Sequence, residues 1–160
     1  MPNWCANQLT LSGATPELRA YLKDHGFSFD KINPVAEPPP ESEPMRVIQL
    51  MIDAWGTKCD QDEPDQLRVA DELLDTGIAY FDTAWSPPLA ALEKLSAMFP
   101  DASFGLTYCE PGMSFAGSAA FKAGTSHDVP ADDGEVTRIA CEVFGYDAPA
   151  EDDPTEPATS

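Results

Sequence analysis

Three short segments dense in tryptophan, proline and glycine constrain this chain more than anything else in it. They are Met1-Pro-Asn-Trp-Cys-Ala-Asn7, Thr83-Ala-Trp-Ser-Pro-Pro88, and Tyr108-Cys-Glu-Pro-Gly112 with Phe115-Ala-Gly117. Proline fixes φ, glycine opens angles closed to other residues, and tryptophan needs a large matched space, so such clusters mark points where a fold accepts little substitution. They speak to architecture before chemistry. No catalytic triad, phosphate-binding loop or spaced metal-ligand motif accompanies them.

The charge balance narrows the partners. The chain has 160 residues, 42% of them hydrophobic, which is enough for one core and too few for two ordinary domains. Its 28 acidic residues against 9 basic ones give a net charge of -19, so nucleic-acid phosphates are repelled and direct DNA or RNA binding is not expected. A protein partner is. Two readings of the acidity stay open: carboxylates that mimic a phosphate backbone, and a solubilising surface. Residues 126–160 alone carry ten acidic residues against Arg138.

The N-terminal residues show no basic region followed by an apolar run, and no stretch approaches the roughly 18 apolar residues of a membrane span. A cytoplasmic protein without membrane contact is expected. Cys5, Cys59, Cys109 and Cys141 are widely spaced with no C-x-x-C pair, so free thiols are expected, with no metal and no cofactor.

Alternation of apolar and polar residues predicts a strand over 3–12. Thr15-Pro16-Glu17 then supplies a cap, a first-turn proline and an early carboxylate for a helix ending near Asp24. Phe27 to Pro34 alternates again, and the proline run 37–44 reads as an exposed linker. A short helix or turn over 45–54 leads into Trp55-Gly-Thr-Lys-Cys59, and 60–75 favours a helix through Leu67, Ala70, Leu73 and Leu74. Ile78 to Trp85 reads as a buried strand, Ser86-Pro87-Pro88 as the start of a helix faced by Leu89, Leu92, Leu95 and Phe99, and 102–108 as a strand. Pro111-Gly112 turns the chain into a hairpin partner over 114–122, with Gly124 closing an ordered domain of residues 1–125. The acidic segment 126–160 is expected to hold one short helix over 136–144 and then disorder among Pro149, Pro154 and Pro157.

This order predicts an α+β fold, a ferredoxin-like βαββαβ sandwich with an added C-terminal hairpin strand and an acidic tail. Together with Trp55-Gly-Thr-Lys58, the motifs resemble the YubB-type ferredoxin-like domain found on conjugative plasmids, phages and integrated elements. The resemblance covers about residues 2–124. It implies a protein of a mobile genetic element and brings no assigned reaction. Where members usually place another tryptophan this chain has Cys59, which weakens an aromatic wall there. The insertion at 37–44 and the tail are particular to this chain.

In that fold the strand order is 4-1-3-2, with strands one and three expected parallel. If Trp55 to Cys59 opens strand two and Ile78 to Trp85 is strand three, then Trp55, Thr57 and Lys58 gather near Asp82, Thr83 and Trp85. Asn3, Trp4, Cys5 and Asn7 are expected with Tyr108, Cys109 and Glu110 at the opposite end of the sheet. The first cluster is either a cap on the core with a Lys58–Asp82 ion pair, or an aromatic-walled polar pocket for a partner side chain or small ligand. In the second, Glu110 stands beside two thiols, but neither His25 nor His127 lies in a motif that would activate them. The proline pair after Ser86 removes the amides a phosphate site would need. The expected function is that of a non-enzymatic accessory protein acting by protein–protein interaction, in its sharper form an acidic DNA mimic that inhibits a host defence or nucleic-acid-handling complex. The alternative is a small-ligand binder or enzyme using Lys58 and Asp82.

Overall fold

Leu9 and Leu11, alternating with Gln8, Thr10 and Ser12, do form a strand. In the computed structural model, which describes residues 4–146 apart from 36–38, 40 and 42, this is β1 (Trp4–Ser12). Thr15 Oγ1 accepts from Leu18 N at 3.2 Å, Pro16 begins α1 (Pro16–His25), and Gly26 ends it at φ +73°. The strand expected over 27–34 is absent. A one-turn helix, α2 (Phe29–Ile32), replaces it because the Asp60 carboxylate accepts from Ser28 Oγ, Phe29 N and Asp30 N at 2.7, 2.9 and 3.1 Å. That cap comes from about thirty residues away, where no local pattern can announce it.

Next come α3 (Pro44–Trp55) and α4 (Glu63–Thr76), the latter capped by Asp62. No strand forms at Trp55–Cys59. The residues there bond through side chains to a distant turn, as described below, and make no ladder. β2 (Ile78–Ala84), α5 (Leu89–Met98), β3 (Ser103–Glu110) and β4 (Phe115–Lys122) follow where strands and helix were expected. Gly124 does not end the ordered body. Ala123 at φ +51° and Gly124 at +85° form a two-residue hairpin turn into β5 (Thr125–Pro130), and α6 (Asp133–Glu142) follows. β5 is exposed along its whole length, so it carries no apolar alternation to mark it.

The five strands lie in the order β2-β1-β3-β4-β5, with every neighbouring pair antiparallel. β1 is therefore an inner strand, between the third and fourth strands of the ferredoxin-like series, and α5 crosses from β2 to β3 as a split βαβ unit. The expected parallel pairing of strands one and three is corrected to antiparallel. With no strand at Trp55–Cys59, the chain returns from α4 to start β2 beside the end of β1, where Leu11 N donates to Gly77 O at 2.8 Å. The flank expected for strand two carries α4, whose Arg68 Nη1 donates to Tyr80 O at 2.9 Å.

Helices α1 to α5 bury one face of the sheet. Leu9, Phe81, Phe104, Leu106 and Phe121 meet Leu18, Leu22, Phe29, Val69, Leu73, Leu92 and Leu95 in a single cluster. On the opposite face, α6 sets Val136, Ile139 and Ala140 against Cys109 and Ala116. Among the described residues no helix is long and apolar enough to cross a membrane.

Candidate functional site

The register of β1 decides where the motifs meet. Trp4, Cys5 and Ala6 lie opposite Ala84, Thr83 and Asp82, while Ala6 also lies opposite Cys109 on the other side. The two clusters expected at opposite ends of the sheet thus share one end. The expectation failed because it rested on a parallel β1–β2 pair.

Much of the first cluster is a buried hydrogen-bond lock. The Asn7 side-chain amide donates to Cys5 O, Phe81 O and Thr83 Oγ1 at 3.0, 3.2 and 3.0 Å. Thr83 Oγ1 in turn donates to Ser86 O at 2.7 Å, Ser86 Oγ to Gly56 O at 2.5 Å, and Thr57 Oγ1 to Ala84 O at 2.6 Å. These donors are paired, while Asn7 Oδ1 has no partner among the described residues, and the lock ties three motifs together. Trp55 belongs to the core: it is 4% exposed, its indole donates to Asn33 O at 2.9 Å, and its ring lies 6.2 Å from Phe29. Trp85 is held at φ +73°, and Lys58 Nζ sits 4.1 Å from its ring centroid. Lys58 makes this cation–π contact and no ion pair with Asp82.

In the second cluster Asn3 lies outside the described residues. Burial pushes the Cys5 thiol up to about 12, with the neighbouring Thr83 side chain pulling the other way, and burial together with Glu110 also raises Cys109. Such thiols stay protonated and are poor nucleophiles. Glu110 is buried; Oε1 accepts from Gly112 N at 3.1 Å, and Oε2 has no partner among the described residues. Tyr108 Oη donates to Asp128 Oδ1 at 2.7 Å, and burial and that carboxylate raise its pKa.

Trp4 and Asp82, one from each expected cluster, converge on a feature that neither cluster described. A groove of about 640 Å³ runs along β2, with Trp4, Tyr80 and Asp82 on the sheet side and Asp60, Asp62, Asp65 and Arg68 on the helix side. Arg68 is already held by Asp65 at 3.3 Å and Glu72 at 2.9 Å. Asp82 is exposed enough to be reached, yet burial raises its carboxyl, with Arg68 pulling the other way. Among the described residues it has no hydrogen bond or ion pair through its side chain. The acidic lead-in at 60–65 was visible in the sequence, but nothing local tied it to Trp4.

Sheet, helices and groove define the class: a ferredoxin-like α+β domain whose motif residues pin three chain segments at one end of its sheet. The chain belongs to the family described as the ferredoxin-like domain in Api92-like protein, whose family model matches residues 54–147. No curated protein and no solved structure was found to match it.

Proposed function

We propose that this chain is a non-enzymatic accessory protein of a mobile genetic element, of the YubB type, that acts by holding a protein partner at the β2 groove. The observation that carries the reading is the groove itself, lined by four aspartates, of which Asp60 also caps α2 and Asp65 pairs with Arg68, beside two exposed aromatic rings. Aromatic anchors beside charge are the residue types that dominate protein contacts, and they favour a basic partner surface. The raised, buried thiols give no support to nucleophilic catalysis. The motifs around Trp4, Trp55, Trp85 and Tyr108 support the mobile-element setting through their resemblance. The net charge of -19 supports the sharper form, a DNA mimic that occupies a basic nucleic-acid site.

The test is affinity capture from the native host with the full chain, followed by reconstitution with the purified partner. Binding is expected to weaken steeply with added salt and to be displaced by duplex DNA. Binding that persists unchanged at high salt and ignores DNA would remove the mimic; absence of any protein partner would remove the reading altogether.

A further inference from the structure

β2 is the outer strand of the sheet, and an outer antiparallel strand leaves every second residue with its amide and carbonyl facing away from its neighbour. Tyr80 faces outward, since its carbonyl accepts from Arg68 and its amide donates to Glu72 Oε1 at 3.4 Å; Ile78, Asp82 and Ala84 share that direction. The outward carbonyls of three of these four residues are engaged. Thr76 Oγ1 accepts from Ile78 N and donates to Ile78 O at 3.3 and 3.1 Å, Arg68 and Glu72 hold Tyr80, and Thr57 Oγ1 and Ser86 N donate to Ala84 O at 2.6 and 2.9 Å. Asp82 is the exception. Among the described residues neither its outward amide nor its carbonyl has a hydrogen-bond partner, and Asp82 is exposed and lines the groove.

We propose that this gap is the seat for an arginine side chain of a partner protein. The proposal rests on the protein-contact function above and supplies the partner's chemistry. With the carbonyls of Tyr80 and Ala84 occupied on either side, the gap cannot take an added strand, which needs successive open outward-facing residues. It can take a planar fork. A guanidinium offers five N–H donors, and Asp82 carries both an unpartnered carbonyl and an unpartnered carboxylate, with Asp62 and Asp65 also lining the groove. Trp4 and Tyr80, about half exposed at 48% and 46%, stand on the same face of the sheet as Asp82 and offer ring surface for stacking. The Asp82 amide is left for a backbone carbonyl of the partner segment. An ammonium group fits less well, being a compact charge without a plane to stack.

The experiment titrates the isotope-labelled full chain with a blocked Gly-Arg-Gly peptide and with its lysine and citrulline counterparts, following amide and indole shifts. Citrulline keeps the shape of arginine and loses the charge. The arginine peptide is expected to shift the Asp82 and Tyr80 amides and the Trp4 indole at about millimolar concentration, the lysine peptide more weakly, and the citrulline peptide not at all. Asp82→Asn is expected to weaken binding about tenfold without lowering the melting temperature, and Trp4→Ala to weaken it several-fold. The seat is overturned if the arginine peptide shifts nothing in the groove, if citrulline binds equally, or if both variants bind like the parent. A partner captured from the host that binds Asp82→Asn as tightly as the parent overturns the seat and leaves the protein-contact function standing. Peptide binding in the groove with no host partner overturns that function and leaves the seat.

Discussion

Asn7 Nδ2 lies 3.0 Å from Thr83 Oγ1, joining two motifs 76 residues apart in the chain. The same amide reaches Cys5 O and Phe81 O, so all three of its contacts are to acceptors at a fully buried position. Asn7→Asp keeps the shape and replaces the donor with a carboxylate oxygen facing those acceptors. The expected loss is at least about 3 kcal/mol in urea unfolding, and Asn7→Ala is expected to cost about 2 kcal/mol. An Asn7→Asp protein as stable as the parent would show that the lock contributes little.

Gly56 lies at φ +91°, and a Cβ there would stand 2.7 Å from Leu89 N and 2.8 Å from Pro87 O. Both the backbone angle and the close approach of the Ser-Pro-Pro turn demand glycine. Gly56→Ala is expected to destabilise by about 2–4 kcal/mol. A change in melting temperature within error of zero would contradict this packing.

Thiol labelling distinguishes the cysteines. Cys59 is exposed, while Cys5 and Cys109 are buried, and Cys5 is pushed up to about 12. At about pH 8 the thiolate fraction of Cys5 is on the order of 10⁻⁴. Ellman's reagent is expected to modify Cys59 first in the native protein and to reach Cys5 and Cys109 only after unfolding. Rapid native labelling mapped to Cys5 by mass spectrometry would be the contrary result.

Asp82 has a carboxyl raised by burial in the folded chain. The folded state therefore holds its proton at higher pH than the unfolded state does. Between the ordinary carboxylate range and the raised value, stability falls as pH rises, and above that window the ionised group remains a penalty. Asp82→Asn removes the penalty. The variant is expected to be more stable than the parent at about pH 7, with the advantage vanishing below about pH 3. A stability difference that does not change over this range would show that Asp82 is not desolvated.

Several elements were legible because their causes are local. Leu9 and Leu11 alternate with polar neighbours in β1, Phe104, Leu106 and Tyr108 do so in β3, and Thr15-Pro16 caps α1 within four residues. α2 was not legible, since Phe27 and Phe29 suit a strand by period and become a turn of helix only under Asp60. Nor was the absence of a strand at Trp55–Cys59, where Gly56 and Thr57 spend their polar groups on Ser86 and Ala84.

The groove illustrates the division most clearly. Its residue types were all present in the sequence: an exposed tryptophan at position 4, an acidic run at 60–65, and Asp82 in a strand. By itself the sequence determined β1 to β4, most helices, the strongly acidic character and the motif residues, because periodicity and capping act over a few neighbours. Only the tertiary structure decided that β1 and β2 run antiparallel, that both motif clusters meet at one end, and that Asp82 is the open position on the outer strand. Those outcomes depend on pairing between residues far apart in the chain, and no short window of sequence contains both partners.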